Sequence, residues 1–394
     1  MAGATIAPAL PAMRAHFAAV DQAELLVKLV LTVPALAVVV AAPLAGVLVD
    51  RWRRTTVLLA AVVLYGVAGS TGAVLESLPA ILVSRALLGV AVAGVMTSVT
   101  TLIADYVDGP ARARFMARQA ASMGVGGVVF LTLGGALADR TWRGPFVLYL
   151  AALALIPAVR RFLVQPRPRP GSGGAADPSG GGGGRGTAMP PRAAGMRAIA
   201  AVAFGSAVVA QLAFYMIPTQ LPFYLTALTG ANGTRSGLAI AGSTLSAAAA
   251  SLVYPRLAAR LSPPATLAVS FGLLGAGYVA LGAATAYAAV LGALAVAGAG
   301  AGLVIPTLSV WLAGRVPSAR RGRALGGLTS ALFAGQFLSP LVVQPVSAAV
   351  GLAGAYTLAG GALLVVAVVF VLARRQIGAL GEPLVAHAGG LRPA

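Results

Sequence analysis

The 394 residues contain no cysteine, which excludes disulfides, thiolate metal sites and a cysteine nucleophile. Histidine is nearly as scarce: His16 and His387 lie at opposite ends of the chain, so no zinc cluster is expected. Lys28 is the only lysine and sits in the apolar run "LLVKLVL". The chain therefore has no Gly-rich phosphate loop ending in Gly-Lys-Ser/Thr, and any pumping is not driven by ATP hydrolysis on this polypeptide. The nine acids are scattered, with no paired-aspartate motif to hold magnesium. Neither an enzyme nor a cofactor or metal site is expected.

Apolar residues are abundant instead. With 59% hydrophobic and 9% charged residues and a mean hydropathy of +0.91, the apolar surface exceeds what one soluble core could hide. A helix needs about 20 apolar residues to span the hydrocarbon core. Twelve such runs are expected, at 1–13 (incomplete), 25–49, 55–75, 79–104, 116–138, 144–163, 198–228, 235–259, 264–285, 287–313, 325–348 and 352–373. None sustains the alternation of a membrane barrel strand, so an all-α, multi-pass membrane protein is predicted.

The net charge of +19 raises nucleic acid as a partner, but its placement argues otherwise. Twenty-two of the 28 Lys and Arg follow even-numbered spans. That is the positive-inside pattern, and it places the even loops and the C-terminus in the cytoplasm. The lipid bilayer, and no nucleic acid, is the expected partner.

Between the sixth and seventh runs, "QPRPRPGSGGAADPSGGGGGRGTAMPPR" has too little apolar surface to offset ordering entropy and reads as a cytoplasmic linker. The predicted organisation is a six-helix bundle over 1–163, a flexible linker over 164–197, a second six-helix bundle over 198–375 and a cytoplasmic tail over 376–394. A weak internal repeat supports two related halves: at an offset of 209 residues "VDGPARAR" (Val107 to Arg114) falls on "VPSARRGR" (Val316 to Arg323), and Gly46, Leu48 and Arg51 fall on Pro255, Leu257 and Arg260. Two such halves are the pattern of a secondary transporter that rocks about a midplane site.

The loop after the second span carries Gly46, Asp50, Arg51, Arg53 and Arg54. The fourth span has "RALLGVAVAG", with Arg85 and Gly89, and later stretches read "GGALADRTWRGPF" (Gly134 to Phe146) and "FYMIPTQLPFYL" (Phe214 to Leu225). These residues resemble the major facilitator superfamily, whose signature in this loop is Gly, three residues, Asp-Arg, one residue, Gly-Arg-Arg/Lys; Arg53 replaces its second Gly. The resemblance is to bacterial drug-efflux members, which are drug:proton antiporters, and covers essentially the whole chain. It implies the major facilitator fold, with its two six-helix bundles related by a pseudo-two-fold axis. It further implies a cytoplasmic latch of Gly46, Asp50, Arg51, Arg54 and Asp105, with Asp105 paired to one of the arginines, that holds the outward-open state. Gly46 would let helix 2 approach the other half closely. Asp50 would then face the free amides at the start of helix 11, near Ala324. Gly134 and Gly135 match the glycine pair of the family's antiporter signature, while Phe130 and Leu131 stand in place of its Gly-Pro pair.

Polar residues within the spans are few. Thr97 and Thr101, Gln211 and Tyr215 are pairs four apart on one helix face; with Gln336 they are candidates for the substrate cavity or for helix–helix hydrogen bonds. Arg85 lies inside the membrane, where an unpaired guanidinium costs at least about 2.5 kcal/mol, so it should face the cavity with a partner or snorkel outward. A proton-driven exporter needs a titrating group near the cavity, and Asp21 or Glu24 with Arg85 is the expected relay, although Glu24 and Lys28, four apart, should pair. Apolar walls without intramembrane acids favour export of a hydrophobic or amphipathic drug-like molecule, with the proton as coupling ion, by a monomer in the bacterial cytoplasmic (inner) membrane. A small-nutrient importer on the same fold and a non-transporting accessory or sensor protein are the alternatives. Helix 1 is expected to be truncated, since the 13 residues before Arg14 make about 20 Å of helix against about 30 Å of hydrocarbon; a short helix completed by bilayer thinning is the other reading.

Overall fold

The computed structural model describes residues 4–107, 109–163 and 191–379. The described residues are helical, with no strand. A 3-10 turn over Ala4–Ala9 leads into α1 (Leu10–His16). Then follow α2 (Ala23–Arg51), α3 (Arg54–Ser70), α4 (Leu78–Tyr106) and α5 (Gly109–Ala138). The sixth helix, α6 (Gly144–Phe162), is wound as a 3-10 helix over Leu148–Ala154. The second group comprises α7 (Pro191–Thr229), α8 (Gly233–Ala258), α9 (Pro263–Gly282) and α10 (Tyr287–Arg315).

A single helical run, Ser318–Leu372, follows. Its 55 residues would extend about 80 Å if straight, far beyond the hydrocarbon core. The run breaks at Gly351, with φ 75° and ψ 170°. A Cβ there would touch nothing within 4 Å, so the requirement for glycine is the backbone angle and not space. The break divides the run into α11 (318–350) and α12 (352–372). A short turn of helix, Arg374–Ala379, follows. The expected linker and tail fall mostly outside the described residues, at 164–190 and 380–394, but the chain is already helical from Pro191, within the segment expected as linker.

Among the described residues, ten helices are long and apolar enough to cross a membrane, counting the broken run as one. Their outward side chains are apolar: Leu252 is 81% exposed, and Phe162 and Leu372 are each 78% exposed. A surface of this kind is stable only in lipid. Lipid also explains why Gly- and Val-rich sequence stays helical, since the backbone has no water to bond.

Within each group the helices are tied by close contacts and buried tyrosines. The Tyr278 and Tyr356 hydroxyls, from α9 and α12, donate to the carbonyls of Ala213 and Met216 on α7, and the Tyr224 hydroxyl donates to Leu281 O at 2.9 Å. On α4, a Cβ at Gly89 would strike the Pro34 carbonyl of α2. Between the groups, α5 packs on α8 and α2 packs on α11. These two seams position the site.

Candidate functional site

One end of the bundle, the Asp50 end, carries the close of α2 and α4 and the start of α11. Arg54 and Asp105 form an ion pair there that joins the start of α3 to the end of α4. Asp50 and Arg51 are exposed, and Asp50 has no hydrogen bond or ion pair among the described residues. Among the described residues, no atom from another helix lies within 4 Å of a Cβ built on Gly46, nor on Gly322 or Gly326 of α11. The close approach of α2 to α11 expected at Gly46 and Asp50 is therefore not made in this conformation. The contact of α2 with α11 lies instead on the neighbouring face, where Phe333 packs against the cluster of Val38, Ala41, Ala45 and Ala93.

The opposite end, the Asp139 end, is tightly sealed. Asp139 follows α5, and its carboxylate accepts hydrogen bonds from Gly233 N at 2.6 Å, Thr234 N at 3.2 Å and the Thr234 hydroxyl. Asn232 Oδ1 accepts from Arg235 N at 3.0 Å. The first three amides of α8 are thus all satisfied, two of them by a carboxylate from the other helical group. An anion at a helix N-terminus also meets the positive end of the macrodipole. The backbones touch here as well: a Cβ on Gly233 would lie 2.8 Å from the Gly135 carbonyl, and one on Gly237 would lie 2.6 Å from that of Leu131.

The second seam at this end is built on Lys28. Its ammonium is fully buried and donates to Glu24 Oε1 at 2.8 Å and to Gln344 Oε1 of α11. It also lies 4.9 Å from the ring centroid of Phe223 on α7. One cation of α2 is thus held by an acid of its own helix, an amide of α11 and an aromatic face of α7. Of these partners the sequence indicates only Glu24; Gln344 is one polar residue in an apolar helix, and nothing in its spacing points to Lys28. The carboxylate of Asp139 is visible in sequence only as an acid at a helix end.

Arg85 is fully buried but does not face a cavity between the groups, as expected of it. Its Nη2 donates to Ala68 O at 2.7 Å and Gly69 O at 2.6 Å, capping α3, and the guanidinium lies 5.0 Å from the Phe146 ring and 5.2 Å from the Tyr149 ring. No contact joins it to Asp21 or Glu24 among the described residues. Asp21 is exposed in the turn before α2, so the structure does not assemble the three into one relay.

Thr97, Thr101, Gln211, Tyr215 and Gln336 are all partly exposed. The Thr101 hydroxyl bonds the Thr97 carbonyl of its own helix at 2.8 Å. A Cβ on Gly335 would lie 3.0 Å from Gln211 Cβ, so α7 and α11 are in contact next to Gln336. A cavity of about 500 Å³ lies elsewhere, within the first group, lined by Thr5, Tyr65, Val95, Phe130, Tyr149 and Leu155 among others; none of the five lines it.

Comparison with known proteins fits this arrangement. The family model described as Major Facilitator Superfamily matches residues 1–221 and again 202–383. Multidrug resistance protein 1 of Bacillus subtilis (strain 168) is 28% identical over 129 residues, a stretch covering 33% of each chain. The match therefore spans about a third of that relative's length. Among solved structures, the fold is similar to a D-xylose-proton symporter (TM-score 0.72, 15% identity, covering 94% of this chain and 93% of that one). It is also similar to a bacterial homolog of the human lysosomal transporter Spinster in an inward-facing and occupied conformation (TM-score 0.73, 16% identity, 98% and 96% covered). A family match along nearly the whole chain, on helices joined across two seams, makes the chain a member of the major facilitator superfamily.

Proposed function

We propose that this major facilitator transporter exports hydrophobic or amphipathic small molecules by alternating access, with the proton as coupling ion. The observation that carries the reading is the difference between the two ends. Every cross-group polar contact described above, at Asp139 and at Lys28, lies at one end, while Asp50 at the other has no partner among the described residues. A transporter sealed at one end and splayed at the other presents one access state. The Arg-rich loops favour the Asp50 end as cytoplasmic, so the state is inward-facing. The bundles 1–163 and 198–375 are then the bodies that rock, and Gly46, Asp50, Arg51, Arg54 and Asp105 form the opposing latch.

Two further observations support the substrate class. The polar candidates for the substrate cavity, Thr97, Thr101, Gln211, Tyr215 and Gln336, are neutral, which suits a lipophilic molecule better than a sugar or a dianion. The partial match to a multidrug resistance protein agrees in kind. Accumulation of a lipophilic dye by cells with and without the chain, each with and without a proton uncoupler, tests the reading. Lower accumulation that the uncoupler abolishes is expected; equal accumulation in all four cases would reject it.

A further inference from the structure

Alternating access requires the Asp139 end to open once per cycle, and opening must separate α2 from α7 and α11. Lys28 is the cation on that dividing surface. In the sealed state it is fully buried, and its three partners are the Glu24 carboxylate, the Gln344 amide oxygen and the Phe223 ring. Two of these belong to the other helical group and leave when the end opens. The one anion among them, Glu24, has a side chain 36% exposed, so protons from that face of the membrane reach it.

We propose that Glu24, Lys28 and Gln344 form a proton-binding site that couples protonation to opening of this end, with Glu24 as the proton acceptor. The inference rests on the alternating-access reading above. With Glu24 ionised, the buried ammonium is neutralised and its bond to Gln344 fastens the groups together. When Glu24 takes up a proton, Lys28 remains a buried cation without a counter-ion, an arrangement far costlier than the same cation in water. Opening relieves it by admitting water to the ammonium. By linkage, the open state binds the proton more tightly than the sealed state does. The charged neighbour to be reckoned with is Arg14 of α1, which acts on both Glu24 and Lys28 and adds positive charge, reinforcing the need for the carboxylate. The residues that contact the ammonium from α7 and α11, Phe223 and Gln344, carry no charge.

Thr32 provides a reporter. It lies one turn deeper than Lys28 on the same face of α2, is fully buried, and its hydroxyl has no hydrogen-bond partner among the described residues, so Thr32→Cys breaks no hydrogen bond, removes only one methyl branch and gives a single thiol in a cysteine-free chain. The full chain in liposomes is labelled with a membrane-impermeant maleimide applied to the Glu24 side at a series of pH values, with rates corrected for the reagent's own pH dependence on an exposed control thiol. The corrected rate should rise about tenfold or more as Glu24 protonates. In Glu24→Gln it should be high and independent of pH. In the Glu24→Gln/Lys28→Met double variant, which strands no charge, it should return to a low, flat value. Gln344→Leu, which breaks only the cross-group bond, should raise labelling and leave a pH dependence. A Glu24→Gln profile that follows the parent's would overturn the proposal, as would a double variant as open as the single. Because labelling is read without substrate, a failure of the export reading leaves these outcomes intact, and dye export with flat labelling would reject this site alone.

Discussion

Removal of the Asp139 carboxylate tests the seal most directly. The side chain joins the end of α5 to the start of α8 through two backbone amides and one hydroxyl. Charge-assisted hydrogen bonds of this type are worth about 1.5–3 kcal/mol each when buried. Asp139 is exposed, however, and water replaces much of what is lost. The helix-cap and macrodipole scale, about 1–2 kcal/mol, is therefore the better guide. Applied to the balance between sealed and open ends, that is a shift of roughly 5- to 30-fold toward opening. Asp139→Asn keeps one acceptor oxygen and loses the charge, so it should shift the balance less than Asp139→Ala. The exposed positions Val74 and Thr285 lie in loops at this end, on opposite groups. With spin labels on Val74→Cys and Thr285→Cys, pulsed electron–electron resonance should show a longer-distance population growing from parent to Asn to Ala. Identical distance distributions in all three would show that the carboxylate merely caps α8 and contributes nothing to closure.

Three further outcomes are expected. Gly233→Ala places a methyl 2.8 Å from the Gly135 carbonyl and 2.9 Å from Ala138 Cβ; backbone cannot yield as a flexible side chain does, so the same spin-label pair should report a more open end than in Asp139→Asn. Arg85→Lys loses the planar guanidinium that lies over Phe146 and Tyr149 and shortens the arm whose Nη2 reaches the Ala68 and Gly69 carbonyls; a loss of about 1–3 kcal/mol should appear as a lower melting temperature in detergent, with substrate affinity of the folded protein unchanged. Asp50→Asn should slow transport and increase thiol labelling of a cysteine placed at Gly322, since it weakens the opposing latch in the state where that latch closes; an unchanged labelling pattern would reduce Asp50 to a solvated loop residue.

What the sequence discloses follows from the range of each interaction. The helices are legible because burial in lipid imposes length and composition residue by residue, and their ends are legible because most of the charge falls in the loops between the apolar runs. The ion pair of Glu24 and Lys28 is legible because it is local, one turn of α2. The Lys28–Gln344 bond is not, because its partners are 316 residues apart and only packing brings them together. Arg85 shows the same limit from another side. Its burial is predictable from depth, but a guanidinium can be neutralised by a carboxylate or solvated by helix-end carbonyls, and only the fold decides that it caps α3.

The same distinction explains why Asp139 is harder to recognise than Asp50, although the two hold corresponding places at the ends of α5 and α2. In this superfamily each six-helix half is itself a pair of inverted three-helix repeats. The second and fifth helices therefore occupy corresponding positions with opposite direction, and so do the eighth and eleventh. A carboxylate beyond the C-terminus of α2 has the N-terminus of α11 as its natural counterpart; one beyond the C-terminus of α5 has the N-terminus of α8, at the other face. The structure engages the second pair and leaves the first apart. If the proposed Asp50 contact forms when its end closes, then, since rigid bodies that converge at one end diverge at the other, the two carboxylates compete for the same motion. On the proposed alternating access each would contribute to the transport cycle through the difference between its engaged and solvated energies, and about 1–2 kcal/mol at either end would be enough to set the balance and small enough to be reversed on every turnover.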